Sequence, residues 1–136
     1  MKVSTKSRYG MRLLIDLANN ADQSPVTVGE ISKRQNISVK YLEQIIHLLK
    51  KAELITSVRG AKGGHLLSKQ PAEINFGQII RLMEARADSD ECFCHKEKCT
   101  MVDYCPLNMA WQQAMDAFFL ELNAVSIADL SKECCK

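Results

Sequence analysis

A chain of 136 residues, 46% of them apolar, is long enough for one ordinary domain with a hydrophobic core and an appended element. Aromatic residues make up only 6%, too few for a platform that stacks single-stranded bases, and no apolar run approaches the ~20 residues of a membrane span. The net charge of +2 hides an asymmetry: residues 1–69 carry 12 Lys+Arg against 5 Asp+Glu, whereas residues 70–136 carry 6 against 11. A basic first half suits a polyanion and an acidic second half does not.

The opening MKVSTKSRYG lacks an apolar signal core, so a cytoplasmic location is the expectation. Residues 7–19 predict a first helix, with Tyr9, Leu13, Leu14, Leu17 and Ala18 on one face. Thr27-Val28-Gly29-Glu30 is a capping box that opens a short second helix through about Gln35. Asn36 suits a left-handed turn, Ile37 can bury in the corner, and Ser38 caps a third helix with Leu42, Ile45, Ile46 and Leu49 as its buried stripe. Two helices joined by so short a turn make a helix-turn-helix.

The runs 54–60 and 65–69 are β-prone and flank Ala61-Lys62-Gly63-Gly64, which predicts a hairpin with a glycine turn. A hairpin directly after a recognition helix is the layout of a winged helix. Arg59 and Lys62 fall near its tip, where glycines keep the wing thin enough to approach a minor groove. Residues 76–84 predict a fourth helix. Residues 85–105 have no periodicity, and a stretch of about twenty such residues in a compact domain points to function or disorder. Pro106 suits the first position of a long helix on which Leu107, Trp111, Ala114, Phe118, Leu122 and Val125 step by three or four residues. That stripe fits either a seam with a second copy of the chain or packing on its own domain. Ser126 and Asp129 predict the start of a last short helix.

All six cysteines lie after residue 91, four of them as C-x-C-x4-C-x5-C: Cys92, Cys94, Cys99 and Cys105. In a reducing compartment, clustered cysteines bind metal or do redox chemistry more often than they form disulfides. Thiolates select zinc or iron–sulfur clusters. The absence of a C-x2-C knuckle favours a cluster, with zinc as the alternative. Cys105 directly precedes the long helix, whose N-terminus favours a negative charge. His95 lies inside the cysteine stretch, while His47 and His65 read as structural or solvated and the terminal Cys134 and Cys135 as free thiols.

Three segments, MKVSTKSRYGMRLLIDLA, ISVKYLEQIIHLLKKAELITSVRGAKGGHLLSK and the cysteines before PLNMAW, resemble the Rrf-type family of winged-helix regulators, which includes the iron–sulfur regulator IscR and the nitric-oxide sensor NsrR. The resemblance implies a homodimer on a palindromic operator of double-stranded DNA, with a cluster held by three cysteines near the dimer helix. Cys99 and Cys105 match the second and third of these; either Cys92 or Cys94 matches the first. The IscR-like histidine is replaced by Asn108, and the NsrR-like acidic residue of the first helix by Arg8. The extra cysteine of the C-x-C pair is the simplest fourth ligand, giving all-thiolate ligation of a 2Fe–2S or 4Fe–4S cluster.

On DNA the resemblance places Tyr41, Glu43 and Gln44 at the major groove and Arg59 at the wing tip. The expected DNA-binding set is Tyr9, Ser38, Lys40, Tyr41, Glu43, Gln44, Arg59, Lys62 and Gly64. Gln can read adenine and Glu can accept from cytosine, while Lys40, Tyr41 and Lys62 hold phosphates.

The expected fold is mainly α with a small β-hairpin wing: a winged helix-turn-helix over residues 1–84, a cysteine-rich cluster loop over 85–105, and a dimerisation helix with its tail over 106–136. No nucleophile–base pair or phosphate-binding loop stands out, so an enzyme is not expected. The expected function is an iron–sulfur-dependent transcription regulator, most simply a repressor. Its rivals are a zinc-stabilised or thiol-switched regulator, and an interaction module that binds a metabolic enzyme.

Overall fold

Helix α1, Thr5–Asn19, starts two residues earlier than the apolar period predicts, because Ser4 caps it: the Ser4 hydroxyl accepts the Ser7 N–H at 3.2 Å. The computed structural model describes residues 3–20, 25–84 and 104–133. Leu13, Leu14 and Leu17 of α1 are buried as their spacing requires, and so is Ser7.

Helix α2, Val28–Gln35, opens on the predicted capping box, in which Thr27 N–H donates to Glu30 at 2.8 Å and Glu30 N–H donates to Thr27 Oγ1 at 3.3 Å. Asn36 takes the left-handed conformation at φ 53°, ψ 50°, and Ile37 buries behind it. Ser32 Oγ closes the corner by donating to the Ile37 carbonyl at 2.6 Å. Helix α3, Val39–Lys51, is capped by Ser38 and buries Leu42, Ile45, Ile46 and Leu49. It ends without a glycine: Glu53 itself adopts φ 56°, a left-handed position uncommon for such a side chain.

Strands β1 (Ile55–Val58) and β2 (Gly64–Leu67) pair antiparallel, with Ile55 opposite Leu67 and Ser57 opposite His65. Both are shorter than the β-prone runs of sequence. Val26 borders the pair as a partial third edge, exchanging two hydrogen bonds with His65 at 2.8 and 3.0 Å. A single tight helical turn at Pro71–Glu73 leads to α4, Phe76–Met83, which is capped by Asn75 through a 2.8 Å bond from Gln78 N–H.

Helix α5, Pro106–Asn123, begins with proline at its first turn as expected, and α6, Ile127–Glu133, follows. Phe76 N–H donates to the Val125 carbonyl and Ile127 N–H to the Ile74 carbonyl, both at 2.8 Å, so the end of α5 and the start of α6 are clipped to the start of α4. The core lies between α1, α2, α3, α4 and α6, with Leu14, Ile31, Leu42, Leu49, Ile79 and Ile127 fully enclosed. No helix among the described residues is long and apolar enough to cross a membrane.

Helix α5 stands apart from this core. Phe119 is its one buried residue, and the Arg81 guanidinium of α4 lies 4.0 Å from the centre of the Phe119 ring. The predicted stripe divides along its length. Leu107, Trp111 and Ala114 are exposed, and Phe118, Leu122 and Val125 are half-buried.

Candidate nucleic-acid interface

The outer face of α3 follows from its inner one. With Leu42, Ile45, Ile46 and Leu49 committed to the core, helical spacing turns Lys40, Glu43, Gln44 and His47 outward, and all four are exposed. With Leu48 they line a shallow recess along the helix. A cation, an anion and an amide on one exposed face can hold phosphates and pair with base edges in a major groove.

Tyr41 is half-buried at the edge of this face, and its ring meets that of Tyr9 edge-on at 5.7 Å and 86°. The guanidinium groups of Arg8 and Arg12 lie 5.6 and 5.7 Å from the centre of the Tyr9 ring. Tyr9 therefore links the basic surface of α1 to the first turn of α3.

Behind this surface is a polar network with no counterpart in the sequence reading. Asp16, almost fully buried, receives both arms of Arg34 at 3.0 and 2.7 Å and the amide of Gln35 at 3.0 Å. Arg12 in turn donates to the Gln35 side chain at 3.0 Å and to its carbonyl at 2.6 Å. These bonds fix α2 against α1. Their only trace in sequence is a polar residue, Asp16, among the apolar positions of α1.

Two members of the expected DNA-binding set hold the fold together. Ser38 accepts the Tyr41 N–H at 3.3 Å, which makes it the cap of α3. Gly64 is required by close packing: a Cβ there would lie 2.6 Å from the Val26 backbone. Arg59 and Lys62 are exposed in the connection between the strands, where Gly60 adopts φ 119°. His65 pairs with Ser57 Oγ at 3.1 Å through Nδ1, and burial, aided by Lys50, lowers its pKa below the ordinary value. At neutral pH the positive charge of the wing tip is thus carried by Arg59 and Lys62.

Of the candidate metal ligands, Cys105 is half-buried at the N-cap of α5, and its sulfur makes no capping hydrogen bond. A soft sulfur donor at a helix N-terminus fits either an iron–sulfur cluster or zinc. Cys92, Cys94 and Cys99, and also His95, lie outside the described residues.

A family model described as "Rrf2, iron-dependent transcriptional regulator" matches residues 3–133. The chain is 38% identical over 133 residues to the protein rrf2 of Nitratidesulfovibrio vulgaris, a match that covers 98% of this chain and 89% of that one. Among solved structures, T. potens IscR matches with a TM-score of 0.79 at 35% identity, over 98% of this chain and 88% of the other. CymR, the global cysteine regulator of B. subtilis, matches with a TM-score of 0.78 at 31% identity, over 98% of both chains. With a helix-turn-helix, a two-stranded wing and this span of likeness, the chain belongs to the Rrf2 family of winged-helix transcriptional regulators and is a DNA-binding regulator, not an enzyme.

Proposed function

We propose that this regulator is a homodimer that represses transcription from a palindromic operator and senses the state of an iron–sulfur cluster. The observation that carries this reading is Cys105: a half-buried cysteine at the N-cap of a helix that carries exposed apolar side chains. Cys92, Cys94, Cys99 and Cys105 would hold the cluster, and the cluster would supply a centre that responds to oxidants and to nitric oxide. Cys105 ties that site to the start of α5.

Exposure supports the dimer. Leu107 is 56% exposed and Trp111 37%, on the same side of α5 as Ala114. Large apolar side chains left open along one helix mark a protein contact. A second copy of the same helix satisfies them symmetrically and pairs two reading helices for the two halves of a palindrome. In each half-site Glu43 and Gln44 read bases in the major groove. Lys40, Tyr41 and Lys62 hold phosphates, and Arg59 reaches the minor groove.

Anaerobic purification tests the sensing. A brown protein with visible absorption, and with iron and sulfide in equal amounts, is expected. Single Ser variants of Cys92 and Cys94 that both keep the full spectrum would rule out all-thiolate ligation. Operator affinity should fall steeply with salt, because phosphate contacts release counterions.

The likeness to CymR favours a second reading, in which the cysteines act as thiols and hold no cluster. A colourless protein whose operator affinity changes with thiol oxidant and returns with reductant would establish it.

A further inference from the structure

The last turn of α4 grips the first two turns of α1 in two independent ways. Glu84 Oε1 accepts from Ser4 N–H at 2.7 Å and from Ser7 Oγ at 2.6 Å. Ser7 is completely buried; its N–H donates to Ser4 Oγ at 3.2 Å, and its hydroxyl oxygen accepts from the Ser4 hydroxyl at 3.3 Å. Three groups from opposite ends of the DNA-binding half are thus bound into one knot. One turn further along, Gly10 packs against Met83, so closely that a Cβ would lie 2.8 Å from the Met83 methyl. The polar knot and the apolar contact set both the height and the rotation of α1 on α4.

The same stretch of α1 carries the groups that meet α3. Lys6, between the two serines of the knot, lines a recess with Tyr41, Gln44, Ile45 and Leu48. Arg8 and Tyr9 follow Ser7 directly, and Tyr9 meets Tyr41 edge-on. Glu84 meets α1 at Ser4 and Ser7, within one turn of the Tyr9 that meets Tyr41. It is also the residue after which the chain enters the cysteine-bearing stretch.

We propose that Glu84 is a positioning residue for operator reading: by holding Ser4 and Ser7 it fixes α1 in the pose that, through the Tyr9–Tyr41 contact, aims Gln44. This rests on the reading of α3 as the helix that enters the major groove. A rotation of α1 moves Tyr9 against the Tyr41 ring that it meets edge-on, and the first turn of α3 shifts with it. Nonspecific attraction to phosphates depends on exposed Lys and Arg side chains and is insensitive to such a rotation. Base reading needs side chains held within about half an ångström and is sensitive to it.

The test compares two duplexes: one enriched by the wild-type chain from a random-sequence pool, and one of mixed sequence. Glu84→Ala should weaken binding to the enriched duplex about tenfold, equivalent to ~1.4 kcal/mol, while leaving the mixed duplex within about twofold. Glu84→Gln keeps an oxygen to accept from Ser4 and Ser7 and should bind the enriched duplex within about threefold of wild type. Ser7→Ala removes one bond of the knot and gives the reading should the Glu84→Ala chain not fold; it should lose affinity for the enriched duplex selectively. Equal affinities of Glu84→Ala and wild type for the enriched duplex would overturn the proposal. So would equal losses on both duplexes, or a Gln variant as weak as the Ala variant. If wild type enriches no duplex at all, the reading of α3 itself fails, a result distinct from all of these.

Discussion

Arg34 of α2 grips Asp16 of α1 with both arms, at 3.0 and 2.7 Å, across a boundary where the carboxylate is 4% exposed and the guanidinium 39%. The unequal exposure makes the two partners unequal in consequence. Arg34→Ala leaves a buried carboxylate with Gln35 as its remaining side-chain donor. Because the site opens to water on the Arg34 side, the cost should be about 2–3 kcal/mol, below that of a fully enclosed pair. Asp16→Asn leaves Arg34 free to turn to solvent and should cost about half as much. Urea denaturation of the two single variants and the double variant measures both costs and their coupling.

Gly64 and the wing-tip cations separate packing from binding. Gly64→Ala forces a methyl against the Val26 backbone and should destabilise the fold by about 1–3 kcal/mol. Arg59→Ala and Lys62→Ala, both at exposed positions, should leave stability within about 0.5 kcal/mol of wild type. They should weaken DNA binding, with a shallower salt slope for Lys62→Ala. Thermal melts and binding titrations at several salt concentrations distinguish the two classes.

His65 is expected to make the wing sensitive to acid. Its folded pKa is lowered, first by burial and then by Lys50, so the folded state resists protonation more than the unfolded chain does. The stability it contributes is therefore fully present above the ordinary value of 6.5, and it is lost as pH falls below that value through the folded pKa. His65→Gln should flatten this part of the pH–stability curve. An unchanged slope between wild type and variant just below pH 6.5 would remove His65 as the cause.

Glu43 is the sharpest test of base reading. An exposed carboxylate on a surface that meets phosphates is unfavourable unless it accepts from a base. Glu43→Ala should change the preferred sequence at one position of each half-site, with a discrimination loss of about 1–3 kcal/mol there. A selection from random duplexes with each protein checks this. A uniform gain across all sequences would mean that Glu43 merely repels the backbone.

The exposed side of α5 should decide the assembly. Leu107→Glu and Trp111→Glu place charges on the proposed seam and should shift the protein from dimer to monomer in sedimentation. Because neither position belongs to the buried core, helix content by circular dichroism should change little outside α5. Phe119→Ala is the internal control: it removes the one buried side chain of α5 and should loosen the helix from Arg81 and α4.

Much of the DNA-binding half was legible in the residues alone, because the interactions that form it are local. Thr27 and Glu30 cap each other across three positions, Asn36 turns the chain within itself, and Ser38 caps the helix that follows it. Apolar spacing then separates the buried stripe of α3 from the exposed Lys40, Glu43 and Gln44. The tertiary structure decided what lies between residues far apart. Ser7 and Glu84 are separated by 77 positions and Asp16 and Arg34 by 18, and no period in the chain announces either pair. That Gly64 must lack a side chain to pass the Val26 backbone is likewise a matter of the fold. On α5 the apolar residues go most of the way round the helix. Their spacing alone could not say which side meets α4, and only packing assigned Phe119 inward and left Leu107 and Trp111 exposed. The physical reason is the same in each case: a cap or a turn is settled by a residue's own neighbours, whereas a shared carboxylate or a packed face is settled by whatever the fold brings beside it.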